Sequence, residues 1–238
     1  MDKIRIIRQL GEYTVFNINI VERIINKRRE YARLVLHRLK KEGLILQVEK
    51  NKYTVYKDPL IVASNMVWPC YASLWSALRF YNLTEQLPEK IFIITTRARK
   101  NRNVKFMDNE FIFIKVRQKH FFGYRKEAYN NFFIFVAEPE KAVIDSVLLK
   151  KISISEIFDV IKEHKNELDI NKIVKYIIKI KNKAVLKRFG YIFDKLNIKI
   201  DYDIKKFIDN KYVILDYAGE KRGEKNKKWM VIENVILK

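Results

Sequence analysis

The sequence predicts an α+β chain, and three observations predict it. Apolar residues recur at helical spacing three times before residue 43, then give way to two short β-rich runs around a Lys-Asn-Lys turn. Runs of β-branched and aromatic residues follow at 90–96, 104–107, 111–116 and 132–137 with hardly a helix between them, which is a mixed α/β layer rather than a doubly wound sheet. From 151 to 200 the apolar period is helical again.

Each element has a local reason. Ile4, Ile7 and Leu10 mark a first helix, which Gly11 interrupts. Asn17 or Asn19 is placed to cap a second helix with Val21, Ile24 and Ile25 as its stripe. Residues 26–29 turn the chain. A third helix carries Ala32, Val35, Leu36 and Leu39 on one face, and Gly43 closes it. Strands at 44–49 and 53–56 flank the turn 50–52. Helix, helix-turn-helix, hairpin is the order of a winged helix-turn-helix, whose third helix enters the DNA major groove while the hairpin reaches the adjoining backbone or minor groove. The expected domains are 1–58, a mixed α/β domain at 59–150, and a helical region at 151–238 with short terminal strands.

In the middle domain, residues 72–81 read as a short helix. Glu138 and Pro139 open another, with proline at an early helical position and acids in the first turn. In the last third, Ile154, Ile157, Phe158 and Ile161 make one stripe. Ile170 to Ile180 and Val185 to Leu196 make two more, and 212–216 and 228–233 read as strands.

Charge directs the functional reading. The chain has 49 Lys and Arg against 28 Asp and Glu, a net charge of +21, and such a field attracts polyanions. The first fifty-eight residues hold 14 Lys and Arg against 7 Asp and Glu. One cysteine, Cys70, excludes an internal disulfide. No apolar run approaches the ~18–20 residues of a spanning helix, and the N-terminus lacks a signal-peptide core, so a cytoplasmic, membrane-free protein is expected. His37, His120 and His164 have no metal-ligand spacing. There is no phosphate loop, dinucleotide fingerprint or nucleophile elbow. Glu138-x-Glu140-Lys141 resembles a nuclease fragment but is explained as a helix start. No catalytic residue, metal or cofactor is expected.

Arg29, Arg33 and His37 share one stripe of the third helix and are the base-reading candidates, with Arg33 suited to a bidentate contact to guanine. Arg28, Arg38, Lys40, Lys50 and Lys52 are candidates for phosphate contacts, which position without reading sequence. Arg97, Arg99, Lys100 and Arg102 in one loop, and Lys183, Lys187 and Arg188 further on, form a possible secondary basic surface.

Several segments, in order, resemble the AbiEi family, the antitoxin and transcriptional-regulator half of type IV toxin–antitoxin systems. They are Ala72-Ser73-Leu74-Trp75-Ser76-Ala77-Leu78, Leu83-Thr84-Glu85-Gln86-Leu87-Pro88, the strand 91–95, and Val136-Ala137-Glu138-Pro139-Glu140-Lys141-Ala142-Val143-Ile144-Asp145. Tyr212, Leu215-Asp216, Gly223, Trp229 and Asn234 echo the family's C-terminal pattern. Where members usually carry a His-Trp or similar pair before Ser-Ala-Leu, this chain has Leu74-Trp75. The resemblance implies a repressor that binds double-stranded operator DNA, including inverted repeats, and silences its own operon. It also implies opposition to a nucleotidyltransferase-like toxin, without a stable complex. Two other readings stay open: a stand-alone winged-helix regulator whose α/β domain senses a ligand or partner, and a DNA-targeted nuclease.

Overall fold

A computed structural model describes residues 2–86 and 89–238; Met1, and Leu87 and Pro88 of the 83–88 segment, lie outside the described residues. The chain is mixed α and β, 40% helical and 20% strand. It divides into two compact units: Met1–Ala72, Pro88–Val116 and Lys126–Phe135 in the first, and Ser73–Leu87, Arg117–Arg125 and Val136–Lys238 in the second.

The first unit opens with α1 (Lys3–Leu10), α2 (Ile18–Ile25) and α3 (Arg29–Lys41). Asn17 caps α2, its side chain accepting from Asn19 and Ile20 N–H. Past the end of α3, Gly43 takes φ +71°. Gly43 N–H reaches Lys40 O at 3.0 Å and Leu44 N–H reaches Leu39 O at 2.9 Å, the paired bonds of a Schellman ending. Ala32, Val35, Leu36 and Leu39 face a core shared with Leu10, Phe16, Ile18 and Val21. In α1 Leu10 of the expected stripe is buried together with Ile6, while Ile4, also part of that stripe, is 83% exposed; in so short a helix either spacing fits the period, and packing decides.

Strands β1 (Leu46–Glu49) and β2 (Lys52–Thr54) form an antiparallel hairpin. Phe16 joins it as a short third partner, exchanging backbone hydrogen bonds of 2.8 Å with Tyr53 in both directions. The hairpin serves two cores, since Ile45 just before β1 packs with the helices while Val48 packs with the following sheet.

Helix α4 (Pro59–Ser64) was not expected from the sequence, although Asp58-Pro59 is a cap followed by a first-turn proline: Asp58 accepts from Leu60 and Ile61 N–H. A six-stranded mixed sheet then assembles in the order β5-β6-β4-β3-β8-β7. Its strands are β3 (Cys70–Ala72), β4 (Lys90–Thr95), β5 (Asn103–Phe106), β6 (Asn109–Lys115), β7 (Tyr124–Tyr129) and β8 (Phe132–Ala137). Ile91, Ile93, Phe111, Phe113, Val104 and Phe106 form one buried face, on which Val62 and Ala63 of α4 pack. Strand β7 went unread because Arg125, Lys126 and Glu127 give it no apolar alternation.

In the second unit, α5 spans Trp75–Phe80. The helix expected from residue 72 starts later because Ala72 ends β3, and Leu74 at φ +54° breaks the run between strand and helix. The others are α6 (Pro139–Leu149), α7 (Ile154–Glu163), α8 (Ile170–Ile180) and α9 (Lys183–Lys195). A small sheet of β9 (Val213–Ile214), β10 (Glu224–Asn226) and β11 (Val231–Glu233) has the order β10-β11-β9. A Cβ on Gly190 would lie 2.2 Å from the Trp229 ring, so α9 admits the indole only with glycine there. Ser73, Lys141 and Asp145 are at most 1% exposed. Ser73 Oγ donates to Asp145 Oδ2 at 2.9 Å, and Lys141 Nζ ion-pairs with the same carboxylate.

Candidate nucleic-acid interface

A groove runs between α3 and the β1–β2 hairpin. Arg29, Arg33, His37 and Lys40 line it from α3, and Gln47, Lys50, Asn51 and Tyr53 from the hairpin, with Ile18 and Leu36 at its floor. The spacing explains the stripe: positions 29, 33, 37 and 40 are about four residues apart, so one helical face carries them all while 32, 35, 36 and 39 turn to the core. Four permanent cations and no carboxylate line this groove.

The three base-reading candidates are not equivalent. Arg33 and His37 are exposed, and their side chains make no hydrogen bond or ion pair among the described residues. Arg29 is tied to α2, its Nη1 donating to Asn19 Oδ1 at 2.9 Å and to Glu22 Oε2 at 3.3 Å. That contact fixes the entry to α3 and leaves Arg29 a positioning group as much as a contact.

The phosphate candidates separate further. Lys50 stands exposed at the hairpin tip, in the groove. Lys40 also lines it, and its Nζ donates to Gln47 Oε1 at 2.6 Å, linking α3 to β1. Arg28 precedes α3 in a shallow depression with Arg23 and Lys27, two exposed cations that the sequence reading left out. Arg38 is exposed on the side of α3 away from the groove. Lys52 is a correction. Its Nζ donates to Met66 O at 3.0 Å and lies 3.4 Å from Glu49, so it braces the hairpin from behind.

The secondary basic surface is also corrected. Arg97, Lys100 and Arg102 are exposed, but Arg99 is held against Glu49 at 2.9 Å, its side chain only 10% exposed. Lys187 and Arg188 are 1% and 4% exposed, so neither belongs to a surface. Lys187 Nζ pairs with Asp209 and donates to Lys211 O. Arg188 donates to Ile214 O and Leu215 O. Lys183 remains exposed, 3.1 Å from Asp209. Helical period shows which way a residue points, whereas the carbonyls that satisfy Arg188 lie more than 25 residues further on.

The groove members missed by sequence reading are Gln47, Asn51 and Tyr53. Asn51 takes φ +57° at the tip. A Lys-Asn-Lys turn signals that conformation, because asparagine tolerates the left-handed region. Its second role, described below, has no local signal.

Among the described residues no helix is long and apolar enough to cross a membrane. No protein-family model matches the chain, and no curated protein matches it.

Proposed function

We propose that this protein is a DNA-binding transcriptional repressor whose first sixty residues act as a winged helix-turn-helix. The groove between α3 and the hairpin, lined by four cations and no carboxylate, carries this reading. A helix of 13 residues is about 20 Å long, sufficient to lie in a major groove about 12 Å wide. Arg33 and His37 then face base edges, while Lys50, Lys40 and Arg28 neutralise phosphates. The hairpin is the wing.

The antitoxin role rests on the resemblance over residues 72–145 and in the C-terminal tail. In that reading the chain silences an operon encoding itself and a nucleotidyltransferase-like toxin, opposes that toxin without a stable complex, and works in the cytoplasm without enzymatic activity of its own.

Two measurements test the proposal. Anisotropy titration of the full chain with a labelled duplex of about 30 bp should give an affinity that falls steeply between roughly 50 and 200 mM salt. Absence of duplex binding at low salt would overturn the DNA reading. Co-expression of the adjacent gene with and without this chain, scored for growth, tests the antitoxin role; growth unaffected by the chain's presence removes it.

A further inference from the structure

The wing is braced from outside the helical core. Glu49, the last residue of β1, directly precedes Lys50 in the groove, but its carboxylate points to the loop between β4 and β5. One oxygen is 2.9 Å from Arg99 Nη2, and the other accepts from Asn101 Nδ2 at 3.1 Å. Lys52 approaches the same carboxylate at 3.4 Å. Arg99 is itself fixed. Its guanidinium lies 4.0 Å over the Phe113 ring of β6, and Nη1 donates to Met66 O at 3.2 Å, the carbonyl that also receives Lys52. Val48 anchors the adjacent position in the sheet core. The front of the hairpin therefore lines the groove, while its back is held by a planar cation seated on the sheet.

We propose that Arg99 is a positioning residue for DNA binding. Through Glu49 it sets the stance of the hairpin and thereby places Lys50 at the duplex backbone. This rests on the DNA-binding reading above. Planarity matters because a guanidinium can stack on Phe113 while its separate nitrogens reach Glu49 and Met66 O; a lysine offers one point charge. Arg99 acts on the back of the hairpin alone, while Lys40, Phe16 and Asn51 hold it from the helical side.

The test uses the full chain with Arg99→Glu, Glu49→Arg, the double charge swap, and Arg99→Lys. Amide hydrogen exchange of β1 and β2 in free protein reports the hairpin, and exchange in α3 serves as the control for folding. Titration with a labelled mixed-sequence duplex of about 30 bp reports binding. The expected result is faster exchange confined to the hairpin in both single variants, and a salt slope shallower by about one unit. Both are restored at least in part by the swap, and Arg99→Lys falls between wild type and Arg99→Glu. Hairpin exchange unchanged in Arg99→Glu overturns the inference whatever happens on DNA. A loosened hairpin with an unchanged salt slope overturns the link to Lys50. A wild-type protein that binds no duplex overturns the DNA reading itself, and with it this role for the brace. If a charge-reversed single variant fails to fold, as α3 exchange would show, Arg99→Lys and Arg99→Gln carry the same comparison.

Discussion

The side-chain oxygen of Asn51 accepts a hydrogen bond from the backbone N–H of Ile18 at 3.2 Å, fastening the hairpin tip to the first turn of α2. The first N–H groups of a helix have no partner inside it. Asn17 satisfies those of Asn19 and Ile20, and Asn51, 33 residues further on, satisfies that of Ile18. The same asparagine turns the chain at the tip with φ +57°. One residue therefore shapes the turn and fixes where the turn sits.

Asn51→Gly and Asn51→Ala separate these two roles. Glycine keeps the left-handed turn and loses only the acceptor, at a cost of about 0.5–1.5 kcal/mol. Alanine loses both and should cost roughly 1 kcal/mol more. Urea unfolding measures the difference; equal stability of the two variants would show that the turn conformation contributes nothing.

Arg33→Ala should cost about 1–3 kcal/mol on the preferred site and relax the choice of base at one position. Selection from a randomised duplex pool, with wild type and variant in parallel, reads both effects. An unchanged selected sequence would remove Arg33 from the base-reading role.

Lys50 and Lys52 are two residues apart and should behave oppositely. Lys50→Ala is expected to weaken all duplexes alike and to flatten the salt slope by about 0.9. Lys52→Ala loses the bond to Met66 O and should lower stability by about 0.5–1.5 kcal/mol, with the salt slope of the folded protein unchanged. A flatter slope for Lys52→Ala at unchanged hairpin order would place Lys52 on the DNA.

Burial pushes the Glu49 carboxyl up, but Arg99, Lys52 and Asn101 outweigh it and hold the group below the usual glutamate value of 4.5. A carboxyl with a depressed folded pKa stabilises fully above its unfolded value and loses that contribution as pH falls through the folded one. The melting temperature of wild type should therefore exceed that of Glu49→Gln at neutral pH, and the gap should close below about 4.5. A gap independent of pH would mean that the ionised carboxylate does not supply the brace.

Lys141→Ala removes the cation facing a carboxylate that is 1% exposed. Breaking a buried pair on one side typically costs about 3–5 kcal/mol, so thermal unfolding should show a large loss. Several of the residues behind the AbiEi resemblance are likewise held by internal hydrogen bonds. Ser73 and Asp145 join two of its segments through one hydrogen bond, Trp229 Nε1 donates to Asp194, and Asn234 both donates to and accepts from the Asp216 backbone. Ser73, Asp145, Asp216 and Trp229 are buried, so these residues bear on fold more directly than on what the surface binds.

Much of the local structure was legible in the sequence. The stripe Ala32, Val35, Leu36 and Leu39, the capping role of Asn17, the closing glycine at 43 and the strand at 132–137 follow from period, cap chemistry and turn chemistry, all of which act within a few residues. Helix α4 had a local mark in its Asp58 cap and first-turn Pro59, but other elements that were illegible had none. Strand β7 lacks apolar alternation, and the start of α5 depends on Leu74 taking a conformation that leucine rarely adopts.

The sequence by itself determined the three helices and hairpin of the first sixty residues, and the face of α3 that carries Arg29, Arg33 and His37, because helical geometry converts spacing directly into direction. Only the tertiary structure decided which cations stand clear. Arg33 and Lys50 are exposed in the groove, whereas Arg99 is committed to Glu49, Lys52 to Met66, and Lys187 to Asp209. Those partners lie 50, 14 and 22 residues away in the chain. A charge is a surface charge only if nothing folds over it, and that depends on contacts that local spacing does not encode.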